Sequence, residues 1–200
     1  MKPLPWITLA LSLTSARAWA QPQSEYARLR ALAQEASDRG QYAEALAHAE
    51  RAAAIRMEPA LRRFIAVMHA EIGPDHLTAA VENADLCVRE SQASENPDDR
   101  RDTLGVCQRM ATELGRQVGR VVVRVPSPTP PGFRVRLQGV ELDASRFGEP
   151  LPVLPGRVRV EAFAGESVLM QRELEVAAGQ REAVDVPGPA PRASPPPPPP

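Results

Sequence analysis

The stretch that decides the fold is Leu114-Gly-Arg-Gln-Val-Gly119-Arg-Val-Val-Val-Arg-Val-Pro126. Before Gly119, apolar residues return at a spacing close to 3.6; after it Val121, Val123 and Val125 alternate with Val122, Arg124 and Pro126. One period belongs to helices and the other to strands. The chain is therefore expected to be an α+β protein of two domains, helical over residues 21–118 and β over residues 119–187.

Working back from the switch, residues 24–118 are poor in proline and rich in Ala, Leu, Glu, Arg and Gln. A first helix carries Leu29, Leu32, Ala33 and Ala36 on one face and stops at Gly40, which suits the left-handed position past a helix end. A second, from Gln41, buries Tyr42, Ala45, Leu46, Ala49, Ala52 and Ala53, and so short a turn makes the two antiparallel. The third opens on Pro59, whose missing N–H costs nothing there, and shows Leu61, Phe64, Ile65, Met68 and Ile72 before Gly73-Pro74. The fourth runs from about Asp75 to Glu90 with Leu77, Ala80, Val81, Ala84, Cys87 and Val88 inward. Residues 91–96 read as a polar break with Asn96 as N-cap and Pro97 in the first turn. A fifth helix turns Leu104, Cys107, Met110, Ala111, Leu114 and Val118 inward.

Working forward, Phe133-Arg-Val-Arg-Leu137 and Val158-Arg-Val-Glu-Ala-Phe163 alternate. Residues 151–156 read as a break, and further strands are expected over 168–176 and about 182–186. Short strands with frequent turn signals indicate a small antiparallel β-sandwich.

Two resemblances sharpen this outline. Leu29, Leu32, Ala33, Ala36, Gly40, Tyr42, Ala45, Ala49 and Ala52 stand at offsets similar to those of a tetratricopeptide repeat, with small residues where paired helices approach closely. Phe64, Met68, Gly73, Leu77, Ala80, Ala84 and Cys87 resemble a second unit capped by the fifth helix; a plain alanine-rich bundle accounts for the same spacings. The β half resembles the PEGA domain, a small immunoglobulin-like module of extracytoplasmic proteins. The likeness lies in Pro130-Pro-Gly-Phe133 leading to Gly139, Gly148-Glu-Pro-Leu151, Leu154-Pro-Gly156 before an alternating strand, and Ala164-Gly165. The likeness implies a β-sandwich in an envelope protein.

The first twenty residues carry Lys2, an apolar run from Leu4 to Leu13 and Ala18-Trp-Ala20, which together read as a secretory signal peptide, residues 1–20, cut before Gln21. The run is too short to span a bilayer. Cleavage removes Trp6 and Trp19, both tryptophans of the chain. Residues 188–200, ending in six prolines, read as a disordered proline-rich tail. Export places Cys87 and Cys107, the only 2 cysteines, in an oxidising compartment, the periplasm or cell surface. Both lie on inward stripes at equal distance from residue 97, so a Cys87–Cys107 disulfide across the fourth and fifth helices is expected.

The chemistry left to the chain is narrow. With 24 basic and 25 acidic residues, no long-range field draws it to nucleic acid. Lys2 is the sole lysine, which removes lysine nucleophiles and the P-loop. No nucleophile elbow or dinucleotide fingerprint occurs, and His48, His69 and His76 have no metal-ligand spacing. Asp98, Asp99, Arg100, Arg101 and Asp102 read as a solvated helix start. Catalytic, metal and cofactor sites are thus not expected. Arg124, Arg134, Arg136, Arg157 and Arg159 alternate along strands, so a basic outer face for an anionic cell-wall or surface polysaccharide competes with a plain solvated face. The expected function is that of an exported, non-enzymatic interaction or scaffold protein, binding an envelope protein partner through its helices, with polysaccharide binding as the alternative.

Overall fold

The computed structural model describes residues 20–188, with side chains from Ser24 onward. The expected signal peptide, apart from Ala20, and the proline-rich tail beyond Gly188 lie outside the described residues.

Among the described residues, five α-helices precede seven strands. Helix α1 (Ala20–Asp38) buries Tyr26, Leu29, Ala33 and Ala36, spaced so as to share one face. It ends at Gly40, φ +71°, where the Gln41 N–H donates to the Ala36 carbonyl and the Gly40 N–H to that of Ser37, a Schellman closure. Helix α2 (Tyr42–Ile55) folds back with Ala45, Leu46, Ala49 and Ala52 buried. Helix α3 (Pro59–Ile72) starts on its proline and ends at Gly73, φ +140°; a single 3₁₀ turn, Pro74–His76, leads into α4 (Leu77–Ala93). The Arg62 guanidinium on α3 ties the pair by donating to Glu90 at 2.7 Å and Asn83 at 3.3 Å.

The expected polar break is shorter than residues 91–96. Helix α4 continues to Ala93 because Ala80, Ala84, Cys87 and Ser91 stay on one buried stripe. The helical run resumes at Pro97, where the Asn96 side chain accepts from the Asp98 N–H at 3.0 Å, and passes through a π-helical turn, Asp99–Thr103, into α5 (Leu104–Gly115). Of the six residues expected inward along that last run, Cys107 and Val118 are buried while Leu104, Met110, Ala111 and Leu114 are half-buried, because no further helix among the described residues covers α5.

Two sheets follow. The first joins β1 (Gly119–Arg124), β4 (Pro150–Val153) and β7 (Arg181–Asp185) in the order β4-β1-β7. The second joins β2 (Phe133–Leu137), β3 (Val140–Glu141), β5 (Gly156–Ala164) and β6 (Ser167–Val176) in the order β3-β2-β5-β6. Val121, Val123, Val153 and Val184 of the first sheet share one core with Val135, Val158, Val160, Ala162 and Val176 of the second.

Three features differ from the sequence expectation. Residues 151–153, expected within a break over 151–156, belong to strand β4. Both prolines are accommodated because β4 is an edge strand and Pro150 and Pro152 occupy alternate positions whose nitrogen faces away from β1. The sheets are not wholly antiparallel, since β7 runs parallel to β1 from Arg120↔Arg181 to Arg124↔Asp185. Finally, Val122, on the outer face of β1, is buried, as is Pro152 on β4, because α4 covers that face near β4. Across the same junction Arg120 meets Asp85 at 2.8 Å and Arg146 meets Glu82 at 2.9 Å.

Candidate functional site: a groove along three helices

Helices α1 and α3 both line one recess, where they present the small side chains Ala27, Ala31 and Ala60. One methyl apiece cannot fill the space between two helices, and a groove of about 810 Å³ remains. Its apolar lining includes Tyr26, Leu61, Phe64 and Ile55, and its charged lining is Arg30, Arg56 and Arg63. A second recess of about 310 Å³ shares Gln34, Arg63 and Phe64 with the first and extends to Val106 and Met110 on α5. The two adjoin at Gln34, Arg63 and Phe64, so that together they mark a channel along α1, α3 and α5. Ile55 and Val67, 41% and 37% exposed, are among the few large apolar side chains open to solvent.

The arginines are held unequally. Arg56 pairs with Glu58 and lies 4.4 Å from the Tyr26 ring centre; Arg30 is 3.6 Å from Glu58 and 5.7 Å from the same ring. The Tyr26 hydroxyl faces Glu58 and Arg56 without a well-aligned hydrogen bond to either, and burial first, then Glu58, pushes its pKa upward. Arg63 forms no ion pair among the described residues. The sequence reading named Phe64 and Leu61 only as core. Tyr26, omitted from the first stripe, is recoverable from its spacing of three and seven residues to Leu29 and Ala33.

The structure brings together two histidines that spacing left apart. Across the turn at Gly73-Pro74, His69 Nδ1 and His76 Nδ1 stand 3.1 Å apart with stacked rings. Burial, and next the neighbouring His76, lowers the pKa of His69, against a smaller pull from Glu50. The signal was a helix-breaking Gly-Pro midway between the two, which folds seven residues back on themselves. Among the described residues no group of three His, Cys, Asp or Glu side chains could hold a metal ion.

Cys87 and Cys107 face each other on α4 and α5, both fully buried, with sulfurs at disulfide distance and Cα atoms 5.8 Å apart. The five arginines of the expected basic face divide. Arg134, Arg136, Arg157 and Arg159 share the outer face of the second sheet, whereas Arg124 lies on the first sheet, 3.6 Å from Asp185. Arg134 and Arg136 flank the Phe163 ring at 5.7 and 5.2 Å. Arg159 pairs with Glu161 at 3.1 Å and Arg157 approaches Glu173 at 4.0 Å, so acidic neighbours offset part of that charge. Arg101 pairs with Asp98 and Asp102 at the helix start, an exposed local cluster.

No helix among the described residues is long and apolar enough to cross a membrane. No family model, no curated protein and no solved structure matches the chain.

Proposed function

We propose that this chain is an exported, non-enzymatic interaction protein of the bacterial envelope that holds a partner segment in the channel along α1, α3 and α5. The observation that carries this reading is the channel itself: an open apolar trough floored by alanines and edged by guanidinium groups, on helices packed in antiparallel hairpins. Such a trough accepts a helix or an extended peptide by burying its apolar side chains. The resemblance to tetratricopeptide hairpins and to the PEGA domain supports the same reading, with the β half as a spacer at the envelope. The paired cysteines support passage through an oxidising compartment.

The test is co-purification from envelope extract with the full chain and with Ala31→Trp and Ala60→Trp, which fill the channel without adding charge. The partner is expected to be retained by the native chain and lost by both variants while their circular dichroism is unchanged. Equal retention by all three would remove the channel from the account.

A second reading, polysaccharide binding through the outer face of the second sheet, is favoured by the Arg134–Phe163–Arg136 stack, a flat aromatic edged by hydrogen-bond donors. Retention on isolated envelope polysaccharide, abolished by Phe163→Ala, is its expected result.

A further inference from the structure

We infer that the partner segment taken by the helical channel is acidic: a short peptide with an apolar stripe and carboxylates beside it. This inference rests on the docking reading above and adds the chemistry of the occupant. Three of the residues lining the channel are arginines and none of them is a carboxylate. Glu58 offsets one of those charges, through Arg30 and Arg56. Arg63, where the two recesses adjoin, has no ion pair among the described residues. A chain whose basic and acidic residues otherwise nearly balance therefore sets a local excess of positive charge around an apolar floor.

That combination selects by sign. An apolar side chain seated between Ala31, Ala60 and Phe64 brings its neighbours within reach of Arg30 and Arg63. A carboxylate there gains a charge-assisted hydrogen bond, whereas an ammonium meets repulsion. From Ala60 to Val67 the axis of α3 rises about 10 Å, room for about two turns of a docked helix. The proline-rich tail would be a poor substitute for such a partner. Residues 189–200 contain one arginine and no aspartate or glutamate, so this tail lacks the complementary charge.

The test uses the full purified chain and three fluorescein-labelled synthetic peptides of about 12 residues, a length of about three helical turns. All share one leucine stripe and carry Glu, Gln or Lys at the remaining positions. Fluorescence anisotropy is expected to show the Glu peptide binding about tenfold more tightly than the Gln peptide, and the Lys peptide not at all. Raising salt from about 50 to about 500 mM should weaken the Glu complex. Arg63→Glu and the milder Arg63→Gln should both weaken it, the first by about tenfold or more, with circular dichroism unchanged. Arg157→Glu, on the distant sheet face, should leave it unaltered.

Equal binding of the Glu and Gln peptides overturns the acidic specificity and leaves the docking channel standing. Loss of all peptide binding, while Ala31→Trp still releases the envelope partner, also overturns it. Glu-peptide binding that ignores both Arg63 variants places the contact elsewhere and overturns it. So does a tenfold gain on deleting residues 189–200, which would make the tail the occupant, or a dimer in sedimentation that Arg63→Glu dissociates, which would make it a second copy.

Discussion

Arg120, the second residue of β1, meets Asp85 on α4 at 2.8 Å, and the same guanidinium donates to the Pro150 carbonyl on the neighbouring strand at 3.3 Å. The pair bridges 35 positions of sequence and joins the helical half to the sheets. Both side chains are about three-quarters covered, at 23% and 26% exposure, so the bridge is less screened than a surface pair. Asp85→Asn is expected to lower unfolding stability by about 1 kcal/mol, with a coupling of similar size to Arg120→Gln in a double-mutant cycle. Additive effects of the two substitutions would show that this bridge does not contribute to holding the halves together.

Gly119 stands where helix gives way to strand, with its α-carbon against Val176, Val153 and the Ala177 carbonyl. A methyl group at that carbon would collide with the Val176 side chain and meet the carbonyl at 3.0 Å. Gly119→Ala is therefore expected to destabilise the protein by about 1–3 kcal/mol, read as a lower denaturant midpoint. An unchanged midpoint would mean that β1 and β6 separate more easily than their shared core implies.

The pH dependence expected around neutrality comes from His69. Burial, then His76, keeps its folded pKa below that of the unfolded chain, so the unfolded state binds more protons in mild acid. Stability is present above the unfolded value, about 6.5, and falls as pH drops through it towards the folded value. Denaturant midpoints measured between about pH 7.5 and about pH 5 should fall in the native chain and change less in His69→Gln, the shift being confined to the window around the unfolded value. A native profile that is flat across that window would contradict the packing of the two rings.

Mass spectrometry of non-reduced protein should find Cys87 and Cys107 in one linked peptide pair. The bridge closes a separation of 20 residues, for which chain entropy implies about 3 kcal/mol. Reduction should lower the stability of the helical half by that order, with the β signal in circular dichroism less affected. Full alkylation of both thiols without reductant would contradict it.

How far the sequence could be read depended on whether the deciding interactions were local. The Gly40 closure, the Pro59 start and the α5 entry at Pro97 follow from neighbours within one or two turns, and all were legible. The facing cysteines were legible too, because a short break between antiparallel helices fixes which turns meet. Strand β4 was not: residues 151–153 read as part of a break, because Pro152 looks like a breaker until its place on a sheet edge is known, and that place depends on β1, about 30 residues earlier. The parallel return of β7 beside β1 is non-local in the same way. Val122 looked like an outward residue because alternation cannot announce a helix packed on the second face. The channel was foreseen only as partner binding through the helices. Its extension to Met110 and the unpaired state of Arg63 depend on how three separate helices are set side by side.

Whether the chain holds a partner segment in the helical channel can be read by photo-crosslinking in cells that produce the full chain. A benzophenone side chain replaces Ala60 on the channel floor, Ala43 on the exposed face of α2, or Arg157 on the outer face of the second sheet. A discrete adduct from position 60, absent from positions 43 and 157, is the predicted result. Adducts from position 157 with none from position 60 would contradict the account and move the binding surface to the sheet.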